Sequence, residues 1–271
     1  MTLPAFEPFF VADSDTFVPN DIAHGGWGPT LGGQVVGGLL ARAVEQQRAD
    51  PELIPARFTV DILRRVATAP VQVHADVVRT GRRMQALDAR LMQGGELVAR
   101  ASTLLLKRSG QPRETPWTTT ISMPPIPHEP AQFDGSVPMF ITPYGGDASD
   151  YTFPWQHDGP RYAWVREIRP LVDDEPLTPF VRAAMAVDVT ASLTGFSKAG
   201  LEFINADYTL TLCRLPTGPY IGLGGLTHYS ADGIAVGSAS LFDARGPIGS
   251  SLTTAASNIT TPSRVARNAA W

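Results

Sequence analysis

The stretch that decides the fold is residues 31–44, which read LGGQVVGGLLARAV. Their apolar side chains would cover most of the circumference of a helix, with Gln34 near the start and Arg42 towards the end as the polar residues. A helix that is apolar on most sides is typically buried in a protein core. Gly32 and Gly33 stand at its start, where the first backbone N–H groups have no acceptor within the helix. The pattern predicts a buried helix over residues 33–48.

Four strand patterns follow this helix. The clearest, VQVHADVV, alternates apolar and polar residues as a half-buried strand does. A Gln-Gly-Gly-Glu turn at 93–96 joins the last two patterns into a hairpin. The predicted strands are 57–63, 71–78, 86–92 and 97–106. This part of the chain is therefore predicted to form one buried helix followed by an antiparallel meander.

The same order returns in the second half of the chain. A largely apolar helix is predicted over 178–193, with Pro179 in its first turn, where proline is tolerated. Strand patterns precede and follow it, at 162–168, 201–212, 220–229, 234–242 and 248–255. The match predicts a duplicated α+β unit, in which Phe58-x-x-Asp61 aligns with Ile204-x-x-Asp207. An aspartate present in both copies favours a structural role over a catalytic one.

A proline-rich segment at 111–160 separates the two copies. Proline at this density blocks helices and central strands, so the segment is predicted to be a connection. A disordered segment is the alternative, although several aromatic residues favour packing against the core. The predicted domains are 1–110, 111–160 and 161–271.

Composition and missing motifs exclude several classes of function. A net charge of −4 argues against a dominant nucleic-acid partner. Cys213, the single cysteine, allows no internal disulfide, and no apolar run approaches the roughly 18 residues that span a bilayer. The sequence has no Gly-x-Ser-x-Gly, no phosphate-binding loop and no His-x-x-x-His. We therefore expect a cytoplasmic protein with no metal, no cofactor and no membrane insertion.

Several segments together resemble one known family. They are residues 31–37 (LGGQVVG), 79–83 (RTGRR), 91–102 (LMQGGELVARAS), 204–210 (INADYTL) and the spaced motif Asp243-x-x-Gly246-x-x-Gly249. In this order they resemble the acyl-CoA thioesterase II (TesB-like) family, of which the chain looks like a divergent member.

The resemblance implies a double hotdog fold, in which two antiparallel sheets each wrap around a long central helix and join edge to edge. It implies hydrolysis of acyl-CoA to a free acid and coenzyme A, as part of fatty acid metabolism. Hotdog units commonly assemble through sheet edges, so we expect a homodimer. The resemblance also implies an aspartate on the second hotdog helix, with a Thr and a Gln on later strands, that together hold a water.

Carried over by position, the implied catalytic residues are Asp188, Asn205 and Thr253. Asn205 stands at the family's Thr position and Thr253 near its Gln position, and both side chains can still hydrogen-bond a water or a carboxylate. An ionised carboxylate in a buried helix needs partners. The alternative for Asp188 is therefore a carboxylate that local backbone or an arginine satisfies.

Four residues near the first helix are expected to bind substrate. Gly33 and Gln34 offer backbone N–H groups for the thioester oxygen, and glycine lets a substrate approach the backbone closely. His24 and Trp27 precede the helix and are expected to line the site, with a loop histidine and core packing as the alternatives. Two other functions stay open: a non-catalytic acyl-CoA-binding protein, and a hydratase or dehydratase acting on acyl thioesters.

Overall fold

A computed structural model describes residues 6–114, 117–118, 120–145 and 155–259 of the chain. The α-helices in this part of the chain are α1 (Gly33–Gln46), α2 (Pro179–Ala186) and α3 (Val189–Gly195), and a short 3-10 helix spans Asp21–Ala23. The strands are β1 (Phe10–Asp13), β2 (Thr16–Pro19), β3 (Leu53–Ile62), β4 (Val71–Thr80), β5 (Met84–Gln93), β6 (Glu96–Lys107), β7 (Phe140–Tyr144), β8 (Tyr162–Arg166), β9 (Phe196–Ser197), β10 (Gly200–Leu201), β11 (Phe203–Asn205), β12 (Asp207–Leu212), β13 (Tyr220–Ala231), β14 (Ile234–Asp243) and β15 (Gly246–Ser257). None of the described helices has the length and apolar character needed to cross a membrane.

Thirteen strands form one antiparallel sheet. Its order is β1-β2-β4-β5-β6-β3-β12-β15-β14-β13-β8-β7, with β11 paired to β15, while β9 and β10 form a separate hairpin. The two halves of the chain meet where β3 pairs with β12, and there the hydroxyl oxygens of Thr59 and Thr209 lie 3.0 Å apart. The expected edge-to-edge contact is present, and through it the strands of the two halves join into one large sheet in the described residues.

The two halves use the same strand register. Met84 pairs with Leu106, and 150 positions later Ile234 pairs with Ala256. This interval corrects the predicted alignment of Asp61 with Asp207, because these two residues are 146 positions apart. They are instead direct partners across the β3–β12 pair. A four-residue slip leaves every side chain on the same face of a strand, so the apolar pattern alone cannot detect it.

Helix α1 forms the core of the first half, as its apolar sequence predicts. Its side chains Val35, Val36, Leu39, Leu40 and Val44 are all buried. It packs against β4, β5 and β6 of its own half and also against α2 of the other half. The two helices therefore share one core, which brings the start of α1 close to the second helix.

The second helix is not the long central helix that the resemblance implies. It ends at Ala186 and restarts at Val189. Around this break the backbone bonds reach three residues back, from Asp188 N to Met185 O, Thr190 N to Val187 O and Ala191 N to Asp188 O. Such tightened turns within a helix often mark functional positions. The break places Asp188 at the junction between α2 and α3.

The described part of the proline-rich connection packs against the protein. Strand β7 lies at the edge of the sheet, where Pro143 is tolerated because no further strand needs its N–H. Phe133, Met139 and Trp155 are buried. Residues 115–116, 119 and 146–154 of this connection lie outside the described part, and the predicted domain limits stay a prediction.

Candidate active site

The start of α1 is in contact with the carboxylate of Asp188. Gly33, the first residue of α1, lies so close that an added Cβ would be 2.3 Å from Asp188 Oδ1. The backbone N–H of Gln34 donates a hydrogen bond to the same carboxylate. A helix N-terminus stabilises a negative charge through its free N–H groups and its dipole. Glycine is therefore required at position 33 because the carboxylate occupies the space of a side chain.

Asn205 is the second group that holds Asp188. It ends strand β11, and its side-chain Nδ2 donates to Asp188 Oδ1 at 3.0 Å. In the described part of the chain no arginine or lysine forms an ion pair with Asp188, so the alternative of an arginine partner is not met. The carboxylate is instead held by an amide of the second half and a backbone N–H of the first half.

Burial controls the protonation of this carboxylate. Removal from water raises the pKa of Asp188 to about 6, whereas the hydrogen bonds from Asn205 and the Gln34 N–H act in the opposite direction. Tyr208 packs close by, in the space left by Gly37, and its hydroxyl donates to the carbonyl of Ala184 at 3.1 Å. Burial, followed by the charge of Asp188, raises the pKa of Tyr208 well above its ordinary value.

A cavity of about 360 Å³ opens beside this carboxylate. Four parts of the fold form its walls: the loop before α1 with the start of that helix, the connection before and within β7, the N-terminal half of α3, and the strands β10 and β11. The lining residues from these parts and from the end of the connection are His24, Gly25, Gly26, Trp27, Thr30, Leu31, Gly32, Gly33, Gln34, Ser136, Val137, Pro138, Met139, Ile141, Trp155, Asp188, Val189, Ala191, Ser192, Leu201, Phe203 and Asn205. A cavity that combines apolar walls with a small number of polar groups is typical of a small-molecule site.

The structure brings most of the predicted site residues to this cavity and leaves one elsewhere. Asp188, Asn205, Gly33, Gln34, His24 and Trp27 all line it. Thr253 does not: its side chain is buried in the sheet, where its hydroxyl donates to the backbone oxygen of Asp207 at 2.9 Å. The predicted role of Thr253 in holding the water therefore has no contact to support it.

Sequence reasoning missed two parts of the site. The first is segment 136–141, which covers the cavity, and which the side chain of Arg169 holds by donating to the carbonyls of Gly135 and Val137, both at 2.8 Å. The second is Glu167, a buried acid that accepts a hydrogen bond from the Gln34 side chain. Its signal was a charged residue near the end of an apolar strand pattern, in Trp164-Val165-Arg166-Glu167.

A second cavity lies at the position that the internal repeat assigns to a second site. It is also about 360 Å³ in volume and lies between the end of α1 and the start of α2. Arg42 reaches across it to Glu175 with two hydrogen bonds, and Thr178 donates to Glu45 at 2.6 Å. Counting back by the repeat interval of 150 puts glycine, Gly38, where the second half has Asp188, and Pro55 where it has Asn205. The second cavity therefore lacks both groups.

Comparison with known families decides what kind of site this is. The model of the acyl-CoA thioesterase N-terminal domain matches residues 23–106, and the model of the C-terminal domain of the same proteins matches residues 120–256. The chain belongs to the acyl-CoA thioesterase family. As a member of this family it is a thioester hydrolase. A comparison with functionally curated proteins finds no match to this acyl-CoA thioesterase family member.

Solved structures of low sequence identity share the fold of this family member. A protein assigned as a thioesterase from Novosphingobium aromaticivorans has 19% identity and a TM-score of 0.69, covering 93% of this chain and 99% of its own. A hot dog fold protein of unknown function from Alicyclobacillus acidocaldarius has 18% identity and a TM-score of 0.67, covering 91% and 94%. Acyl-CoA thioesterase II TesB2 from Mycobacterium marinum has 15% identity and a TM-score of 0.62, covering 93% and 94%. The chain therefore has a hotdog fold.

Proposed function

We propose that this thioester hydrolase cleaves acyl-CoA to a free acid and coenzyme A, using a water molecule that Asp188 activates. The observation that carries the proposal is the position of Asp188, half-buried on the wall of a cavity and held by the start of α1. With a pKa of about 6, this carboxyl is mostly ionised at neutral pH and is more basic than an ordinary aspartate. It can therefore accept a proton from water at neutral pH.

In the proposed reaction a water bound to Asp188 attacks the thioester carbonyl carbon while its proton passes to the carboxylate. The tetrahedral intermediate then collapses, the carbon–sulfur bond breaks, and the coenzyme A sulfur leaves and takes up the proton. Asn205 keeps the carboxylate oriented through its 3.0 Å hydrogen bond. The fixed geometry lowers the entropic part of the barrier.

The developing oxyanion needs a hydrogen-bond donor. The N–H of Gln34 is engaged by Asp188, whereas Gly33 is the first residue of α1, and the first N–H groups of a helix have no intrahelical acceptor. We assign the oxyanion contact to the Gly33 N–H, which lies on the cavity wall. His24 and Trp27 would contact the substrate from the preceding loop.

The acyl group would lie against the apolar part of the cavity. This wall combines Val137, Met139 and Ile141 of the connection with Leu201 and Phe203 of the second half. Burial of apolar substrate surface favours binding by about 25 cal/mol for each Å². The proposed substrates are therefore acyl-CoA esters with an apolar acyl group.

The test is release of free thiol from a series of acyl-CoA substrates of increasing chain length. The wild-type chain should release coenzyme A, and Asp188→Asn should lower kcat by about a hundredfold or more, because the amide cannot accept the proton. Asp61→Asn is the matched control: Asp61 pairs with Arg100 on the sheet surface, and its loss should leave kcat unchanged.

Three results would contradict the proposal. Full activity in Asp188→Ala would remove Asp188 from the mechanism. Binding of acyl-CoA without thiol release would favour the non-catalytic alternative, and a change in enoyl-CoA absorbance without thiol release would favour a hydratase.

A further inference from the structure

Glu167 is a buried acid that the proposed mechanism does not use. It directly follows strand β8, and only 5% of its surface is exposed. Its Oε2 accepts a hydrogen bond from the side-chain Nε2 of Gln34 at 2.6 Å, in the protein interior. Burial of an acid at such a position costs free energy. This cost indicates that the contact of Glu167 with Gln34 has a role in the protein.

Gln34 connects this acid to the proposed catalytic carboxylate. Its backbone N–H donates to Asp188, and its side chain donates to Glu167. Gln34 is itself buried and is the second residue of α1, so its two contacts fix the first turn of the helix. We propose that Glu167 is a positioning residue, which acts through Gln34 to hold the N-terminus of α1 against Asp188. This inference rests on the proposed function.

The surroundings of Glu167 indicate the protonation state in which it acts. Gln34 faces it from α1, Arg182 from α2 and Arg169 from its own segment, and all three favour its ionised form. Burial outweighs them and raises the pKa of Glu167 to about 8. At neutral pH the side chain is therefore mostly neutral and accepts from Gln34 without placing a negative charge in the protein interior. Above pH 8 that charge appears, and activity should decline.

Two substitutions separate the hydrogen bond from the charge. Glu167→Leu removes the acceptor for Gln34 and should lower kcat by about tenfold to a hundredfold with little change in KM, since the reacting groups lose alignment. Glu167→Gln keeps an acceptor oxygen and cannot ionise. It should retain kcat within about threefold at neutral pH and lose the decline in activity above pH 8.

The matched control is Gln85, a buried glutamine of β5 whose side chain contacts the residues that follow the C-terminal end of α1. Its side chain accepts from the N–H of Ala49 at 3.0 Å and donates to the carbonyl of Gln47 at 3.2 Å. Gln85→Leu should lower the melting temperature and leave kcat and the pH profile unchanged. A purely structural role for Glu167 would make Glu167→Leu behave in the same way, and that result would overturn the proposal.

A measurement without turnover distinguishes failure of this inference from failure of the proposed function. The Asp188 carboxyl carbon can be labelled with ¹³C, assigned with Asp188→Asn, and titrated by NMR. In Glu167→Leu its pKa should rise above the wild-type value, because the Gln34 N–H contact weakens, whereas Glu167→Gln and Gln85→Leu should leave it unchanged. An unchanged Asp188 titration in Glu167→Leu overturns the positioning role. If the Asp188 pKa rises in Glu167→Leu as expected but the wild-type chain releases no thiol, the positioning role is supported. The missing thiol release then contradicts only the hydrolytic proposal.

Discussion

Asp188 combines two properties that oppose each other. Its side chain is half-buried and partly desolvated, which disfavours the charge, and yet its contacts with the start of α1 and with Asn205 stabilise that charge. The resulting pKa of about 6 lies above the ordinary value of 3.8. Such a carboxylate is a stronger base than an exposed one, and the protein loses stability by keeping it ionised.

This loss predicts a gain in stability on removal of the charge. Between pH 4 and 6 the folded state holds more protons than the unfolded state, so stability falls as pH rises through this range. Asp188→Asn avoids that fall and should raise the free energy of unfolding at pH 7 by roughly 1–3 kcal/mol. Thermal unfolding of both chains at pH 4 and pH 7 checks this. The gain should shrink at pH 4, and a lower melting temperature of the variant at pH 7 would contradict the prediction.

The sequence predicted some residues that line the cavity, and it did so where their chemistry differs from the surrounding pattern. Family positions marked Asp188 and Asn205, and the presence of a lone carboxylate in an apolar helix supported the choice of Asp188. Sequence reasoning failed at Thr253, because a run of hydroxyl residues in a strand does not tell which member meets a cavity and which bonds a neighbouring strand. It also passed over Glu167, whose importance depends on Gln34, a residue 133 positions away along the chain.

At the scale of elements, the packing of the helices depends on glycines in α1 that let other elements approach the helix closely, and on contacts between distant parts of the chain. The sequence predicts the apolar surface of the second helix but not its break at Asp188, since no proline or glycine interrupts residues 180–194. The break follows from tertiary packing: Asp188 bonds to the start of α1, and Thr190 bonds to Ser251 of β15 at 2.6 Å. Contacts between distant elements are not visible in local periodicity.

Gly37 is the glycine at which this close approach is most restrictive. An added Cβ would lie 1.4 Å from the hydroxyl oxygen of Tyr208, which is fully buried. Gly37→Ala should therefore lower the free energy of unfolding by about 1–3 kcal/mol or more, as overpacked cores do. Urea denaturation measures the change. Gly110→Ala is the control, since a Cβ there meets nothing within 4 Å, and equal stability of the two variants would contradict the prediction.

At the scale of the whole molecule, the duplication was predictable and its asymmetry was not. The order of helix and strands appeared in both halves of the sequence, and the common register with its interval of 150 residues is visible only in the strand pairing. That interval gives Gly38 and Pro55 as the counterparts of the two groups that hold the site together. The predicted homodimer stays a prediction.

The asymmetry predicts one substrate site for each chain. The second cavity lacks the carboxylate and the amide, and Arg42 with Glu175 spans it. Calorimetric titration of the wild-type chain with a non-hydrolysable acyl-CoA thioether should give a stoichiometry of one. Arg42→Met, which opens the second cavity, should leave the affinity and the stoichiometry unchanged. Two equivalent binding events per chain would contradict this assignment.

The pairing of β3 with β12 has a consequence for how activity depends on protein concentration. The helix start belongs to one half and the carboxylate to the other, so neither half alone contains both groups of the proposed active site. Two separate polypeptides with this arrangement would become inactive on dilution, as their association equilibrium shifted. Because a single backbone tethers them, each half meets its complement at a fixed effective concentration, and specific activity should be independent of how little enzyme is present.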